Sequence, residues 1–388
     1  MSDFSNRLLD WYHNNRRILP WREDPTPYHV WLSEIMLQQT RVEAVKGYYA
    51  RFLNTLPDVA ALAQAPEDTC LKLWEGLGYY SRVRNLQKAA QEVMEHWGGE
   101  IPGTSDELKK LPGIGLYTAA AIASIAFGER IPAIDGNLLR IYARLERYEE
   151  SIRTPAAQKK AAQYFAEQMP ECSAAWNPAG ENNGKGGTEG IDGTEGIDGS
   201  KGKGGTVAKD NPCGNFNQAL MDLGNAVCLP GSAPTCDRCP VADFCRIHKE
   251  CPGEEESLPF IPTAKEKKTE LLTVFMIRNG DKTAVRKRPA RGLLAGLYEF
   301  PNAAGHMDDK EALAWLRKNH VEPVRIKKIV DAEHVFSHKK WIMQGYEVIM
   351  DPFAENSIPF IMAGQDEITG KYCIPSAFSA YLDWLKAQ

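Results

Sequence analysis

The sequence predicts a multidomain protein, an all-α half carrying a glycine hairpin between two helices and a compact four-cysteine loop, followed by an α+β domain. Three observations carry this. From Ser5 to about Trp176, apolar residues recur at helical spacing, punctuated at Pro57, Pro66, Gly98-Gly99, Pro112, Pro132 and Pro170. Cys228, Cys236, Cys239 and Cys245, spaced Cys-x7-Cys-x2-Cys-x5-Cys, follow a helix-like run from Phe216 to Val227. From Glu270 the pattern changes to short runs of Val, Ile, Phe and Leu split by turns. A chain of 388 residues also exceeds what one core usually supports.

Composition narrows the classes. A hydrophobic fraction of 43% is ordinary for a globular protein, and a formal charge of −5 gives no hint of nucleic acid. Any DNA contact therefore has to come from backbone amides and locally placed Lys and Arg. Met1 to Pro20 has no apolar signal region and no stretch reaches eighteen uninterrupted apolar residues, so a soluble, cytoplasmic protein without a membrane partner is expected. Nine cysteines, four of them clustered, argue for metal ligation in a reducing compartment rather than a disulfide framework. Cys70, Cys172, Cys213, Cys251 and Cys373 are then expected as free thiols. Four thiolates suit zinc or an iron–sulfur cluster, and spacing alone does not choose.

In chain order, Glu34 comes first among the chemically informative residues. Val30, Trp31, Ile35, Met36 and Leu37 surround it, so its carboxyl is poorly solvated and its pKa should rise. Glu34, Gln38 and Arg41 read as a thin polar stripe at i, i+4 and i+7. Leu111-Pro112-Gly113-Ile114-Gly115 lies between the helix-like Glu107 to Lys110 and the run Tyr117 to Phe127. Its two glycines allow backbone amides to approach a phosphate, although such a turn read alone is a tight corner. Asp135 follows Gly115 by twenty residues and opens the helix Leu138 to Arg147, where an N-cap is its plain reading. Residues 177–211, rich in Gly, Lys, Asn and Thr with Gly-Thr-Glu-Gly-Ile-Asp twice in tandem, read as a disordered surface insertion. Pro252 to Lys268 reads as a linker, Asn279-Gly280-Asp281 as a hairpin turn, and Lys310 to Lys318 and Ser376 to Lys386 as helices.

Helix-hairpin-helix, then Asp, then four cysteines resembles the helix-hairpin-helix DNA glycosylases that carry a 4Fe-4S cluster. Leu19-Pro20-Trp21-Arg22, Trp31 through Thr40 (WLSEIMLQQT) and Gly76 through Arg82 (GLGYYSR) narrow the resemblance to the adenine DNA glycosylase (MutY) family of base excision repair. The first cysteine loop holds seven residues where six is commoner in that family. The resemblance implies a 4Fe-4S cluster on the four cysteines, and a partner consisting of duplex DNA with adenine opposite 8-oxoguanine or guanine, bound by a monomer. It implies an all-α glycosylase region at 1–250, with a six-helix part about 28–134 and a cluster part formed by 1–27 and 135–250. A linker at 251–268 and a Nudix-like 8-oxoguanine recognition domain at 269–388 complete the division.

The same resemblance assigns roles. Glu34 would protonate a ring nitrogen of adenine, and Asp135, kept ionised by the amides of its helix, would face the positive charge developing on the sugar. Asn137 and Tyr117 match positions that hold Asp135 and the sugar. Tyr117 stands where strand-cleaving relatives of the endonuclease III kind place a Schiff-base lysine, so a monofunctional glycosylase is expected; a bifunctional glycosylase/lyase for oxidised pyrimidines and a non-catalytic iron–sulfur DNA-binding protein are the alternatives. Tyr79 resembles an intercalating wedge filling the gap left by a flipped base, with Gln38 and Gln39 resembling residues that reach the opposite base and the vacated stack. Leu111, Gly113 and Gly115 would meet the DNA backbone, and Arg22, Leu37 and Gln218 would line the adenine pocket. Gly292 through Pro301 (GLLAGLYEFP) looks like a Nudix core, yet Asn302 to Lys318 lacks the metal-binding Arg-Glu-x-x-Glu-Glu helix, so the fold is expected without its hydrolase chemistry. Phe336, Ser337 and His338 resemble the loop that reads 8-oxoguanine.

Overall fold

The computed structural model describes residues 1–172, 211–231, 233–262, 266–351 and 358–388. Of the insertion expected at 177–211, all but Asn211 lies outside them. The chain resolves into two compact units, Met1–Gln39 with Glu92–Pro262, and Thr40–Gln91 with Thr263–Gln388. No helix among the described residues is long and apolar enough to cross a membrane.

The first unit is helical. Its main helices are Asp3–Asn15, Pro27–Leu37, Leu116–Phe127, Gly136–Leu145, Pro155–Gln168 and Pro212–Ala226. Their starts are written in the sequence: the side chains of Ser2, Thr26, Asp135, Thr154 and Asn211 each accept a backbone N–H of the first turn. Thr118 to Ala126 are all buried, so Leu116–Phe127 is a central helix enclosed on every side. Phe4, Leu8, Ile141, Phe165, Phe216, Leu220 and Leu223 form the core around the Pro212–Ala226 helix.

Two expectations change here. Cys172 and Cys213 are not free thiols but form a disulfide, their Cα atoms 6.0 Å apart and so within bridging range. Cys70, Cys251 and Cys373 are free. The front of the expected linker is also packed, because Leu258 is buried, its carbonyl accepts Arg144 Nε at 2.9 Å, and Glu255 accepts His248.

The second unit combines the helices Val42–Thr55, Val59–Gln64 and Glu67–Leu73 with a mixed sheet. Its strands are β1 (Lys268–Asn279), β2 (Lys282–Lys287), β3 (Tyr298–Glu299), β4 (Asn302–Ala304), β5 (Pro323–Lys328), β6 (Ala332–Val335), β7 (Lys339–Met350) and β8 (Ile361–Gly364). The order is β3-β2-β1-β7-β5, with β4 on β1, β6 on β7 and β8 on β2. The long central pair, β1 with β7, is parallel from Lys268↔Lys339 to Arg278↔Ile349. Alternation along β1 feeds two cores: Val274 and Met276 meet Phe378 and Tyr381, whereas Phe275 and Ile277 meet Ala312 and Leu316 of the Asp309–Lys318 helix. The sheet is thus covered on both faces, as an α+β layer requires. The expected hairpin turn joins β1 to β2, with Gly280 at φ +60°.

Candidate active site

Glu34 sits on the buried face of the Pro27–Leu37 helix and is 6% exposed. Burial, with Asp135 nearby, raises its carboxyl to about 7, while Tyr117 and Arg22 pull the other way. The Tyr117 hydroxyl donates to Glu34 Oε2 at 2.7 Å, a partner the sequence did not indicate. The polar stripe expected through Arg41 does not form on one helix. Gln38 is the C-cap, Gln39 turns into the left-handed region at φ +57°, and Arg41 caps the following helix. Gln38 Nε2 donates to Thr118 Oγ1 at 3.2 Å.

Asp135 is the N-cap foreseen from its position. Oδ1 accepts Leu138 N at 2.8 Å and Oδ2 accepts Asn137 Nδ2 at 2.8 Å. Its pKa is nevertheless above the ordinary aspartate value, because burial outweighs these bonds and the attraction of Arg140. Two buried carboxyls, one of them raised towards neutrality in part by the charge of the other, can divide acid and anion roles between them.

Arg22 is fixed by a bidentate pair with Asp222, at 2.7 and 3.1 Å, and its guanidinium lies over the Tyr12 ring. Burial would raise Asp222, but Arg22 and Arg17 hold it below the usual carboxylate range. Leu37 and Gln218 are partly exposed in the same unit. Sequence reasoning missed Asp222, whose signal was its place one helical turn beyond Gln218.

In the hairpin, Gly113 adopts φ +79° and Gly115 caps the Leu116–Phe127 helix. Both glycines are exposed. Leu111 is 2% exposed, so its side chain anchors the turn in the core, whereas Leu116, not foreseen, is 71% exposed.

Cys228, Cys236, Cys239 and Cys245 line one cavity together with Arg144, His248 and Glu255. Burial leads in pushing Cys236 up to about 11 and Cys239 up to about 12, with the neighbouring thiols adding to both and Arg144 opposing the rise at Cys236. Arg144 Nη1 donates to Cys228 Sγ at 3.1 Å. Four sulfur donors on one cavity are compatible with an iron–sulfur cluster. Arg140 bridges this loop to Asp135's partner, donating to the Cys228 carbonyl at 2.8 Å and to Asn137 Oδ1 at 2.9 Å. Arg140 and Arg144, one turn apart on the Gly136–Leu145 helix, were also missed.

In the second unit Tyr79 is 47% exposed at φ +47°, and its hydroxyl lies 2.7 Å from Ser337 Oγ. Arg82 stands over both Trp74 and Tyr79. Phe336, Ser337 and His338 form the turn between β6 and β7, with Phe336 packed edge-on against Trp341. Tyr79, Arg84, Leu294, Phe336, Ser337 and His338 line part of a cavity of about 570 Å³.

Comparison with known proteins adds to this geometry. Residues 32–167 match the HhH-GPD superfamily of base excision DNA repair proteins, and residues 273–384 match the NUDIX domain. The adenine DNA glycosylase of Mus musculus is 31% identical, the alignment covering 92% of this chain and 72% of that protein. That of Buchnera aphidicola subsp. Schizaphis graminum is 32% identical over 86% of this chain and 84% of its own. Among solved structures, a non-covalent endonuclease III–DNA complex aligns with a TM-score of 0.45 at 19% identity, over 63% of this chain and 94% of that one.

Proposed function

The chain belongs to the adenine DNA glycosylase family, and from that premise we propose that it hydrolyses the N-glycosidic bond of adenine opposite 8-oxoguanine or guanine in duplex DNA, without cutting the strand. The observation that carries the chemistry is the pair of buried carboxyls, with Glu34 raised to about 7 under the Tyr117 hydroxyl and Asp135 held at a helix start. Glu34 is protonated at neutral pH often enough to give its proton to a ring nitrogen of adenine, which turns the base into a neutral leaving group. Asp135, ionised, stabilises the cationic sugar, and Asn137 keeps its Oδ2 in place. Water then adds at the sugar carbon. Tyr117 has no amine, so no Schiff base forms there and the product is an abasic site.

Arg22, Leu37 and Gln218 form the adenine pocket, with Arg22 aligned by Asp222. Gly113 and Gly115, with the backbone of Leu111, meet the DNA phosphates, and Gln38 and Gln39 meet the opposite base. Tyr79 is the wedge that replaces the flipped base, and Phe336, Ser337 and His338 read the oxidised guanine. The hydrogen bond between Tyr79 and Ser337 supports a joint role for wedge and reader. Cys228, Cys236, Cys239 and Cys245 would hold a 4Fe-4S cluster that orders the loop between them; hydrolysis needs no electron from it. The catalytic region is 1–250 and the reading domain 269–388, all within a monomer.

The test uses three duplexes, with adenine opposite 8-oxoguanine, adenine opposite guanine, and thymine glycol opposite adenine. Alkali-labile sites at both adenines, and none at thymine glycol, support the reading. Release of thymine glycol alone would reject it.

A further inference from the structure

The segment between the Leu116–Phe127 and Gly136–Leu145 helices, residues 128–135, has no regular structure, yet it ends on Asp135. Its buried peptide groups must find partners outside any ladder. One side chain serves two of them. Asn217 is fully buried; its Oδ1 accepts Ala133 N at 3.0 Å, and its Nδ2 donates to the Ile131 carbonyl at 2.9 Å and to Ser124 Oγ at 2.8 Å. The amide therefore clamps the backbone two residues before Asp135.

Seven residues further along the same helix, and so on the same face, lies Gly224. Glycine is disfavoured inside a helix, which asks for a tertiary reason. A Cβ there would stand 2.7 Å from Asn137 Cβ and 3.0 Å from Asn137 Cγ. Asn137 is the residue whose Nδ2 holds Asp135 Oδ2. The Gly224 carbonyl also accepts Arg140 Nη2 at 2.7 Å, and Arg140 in turn bonds Asn137. One helix face thus touches the chain on both flanks of Asp135.

We infer that Asn217 and Gly224 are positioning residues for the Asp135 carboxylate, Asn217 by fixing the backbone that enters it and Gly224 by leaving the space Asn137 occupies. The inference rests on the reading of Asp135 as the catalytic carboxylate. Gln218, assigned to the adenine pocket, is next to Asn217, so the helix that meets the base also sets the carboxylate.

The experiment measures single-turnover adenine release by the full chain from a duplex with adenine opposite 8-oxoguanine. Affinity is measured separately on a duplex carrying 2′-fluoro-adenosine there, which resists cleavage. G224A should lower the rate on the order of 10-fold to 100-fold, the cost of a small misplacement of a reacting group, while affinity stays within about twofold. In an N137G background, where the colliding side chain is gone, G224A should cost nothing further. N217A should also slow release, whereas S124A, which removes the Asn217 contact facing away from residues 131–133 and the bond from Ser124 to the Ala121 carbonyl within its own helix, should not. A G224A rate equal to wild type, a full additional loss in N137G, or equal losses from S124A and N217A would each overturn the inference. If N217A does not fold, the Gly224–Asn137 cycle still decides. Wild type that releases no adenine, or D135N that releases it normally, would instead reject the underlying reading of the site.

Discussion

Replacing Glu34 with Gln separates the chemical role of this carboxyl from its cost to the fold. Gln fills the same volume and can still accept the Tyr117 hydroxyl. The folded protein raises the Glu34 carboxyl from 4.5 to about 7, so between those values the native state holds a proton that the unfolded chain has lost. Stability from this group is therefore complete below pH 4.5 and falls as pH rises through 7. At about 1.4 kcal/mol per pH unit, ionisable Glu34 costs about 3 kcal/mol above neutrality. E34Q lacks that penalty. Urea denaturation of both proteins from pH 5 to 8.5 should give similar midpoints at the acid end and a gap in favour of E34Q that widens towards about 3 kcal/mol. Adenine release by E34Q should be lost throughout, while wild-type kcat/KM should fall as pH rises through about 7. A gap that does not change with pH, or a variant that still turns over, would refute the reasoning.

Other perturbations follow from the same geometry. Tyr117 lowers the Glu34 carboxyl, so Y117F should move the alkaline limb of the kcat/KM profile to higher pH, and an unmoved limb would show that the hydroxyl does not act on Glu34. D222N removes the charge that Arg22 and Arg17 share; we expect about 2 kcal/mol lower stability by urea denaturation at pH 7 and slower adenine release. Unchanged kinetics would exclude Arg22 from the pocket. S337A and H338A should weaken release opposite 8-oxoguanine more than opposite guanine, and equal losses would remove Phe336, Ser337 and His338 from the reading role. C236S should lose the visible absorbance of an iron–sulfur cluster in proportion to bound iron, whereas a colourless wild type rich in zinc would contradict the cluster assignment.

Much of the site was legible because it is local. The helix around Glu34 is apolar enough that a carboxyl within it must be desolvated, and Asp135 capping its helix follows from the residues next to it. The hairpin and the turn between β1 and β2 are marked by glycines in the sequence, and Gly113 and Gly280 take the positive φ that glycine tolerates. What sequence reading could not reach depends on distant partners. Tyr117 bonding Glu34 spans 83 positions, and the parallel pairing of β1 with β7 spans about 70. Leu111 shows the opposite limit, since a residue inside a motif can be its buried anchor while the neighbouring Leu116 is the exposed one. The stripe through Arg41 failed because Gln39 turns the chain before the helical period can continue.

The central claim is that one protein releases intact adenine and leaves an unbroken abasic strand. Its most direct test is single-turnover reaction with a duplex carrying adenine opposite 8-oxoguanine, measuring free adenine by mass spectrometry and the labelled strand on denaturing gels with and without hot alkali. The account predicts one adenine per alkali-labile site and no strand break before alkali. Breaks in the untreated sample, or abasic sites without free adenine, would contradict it.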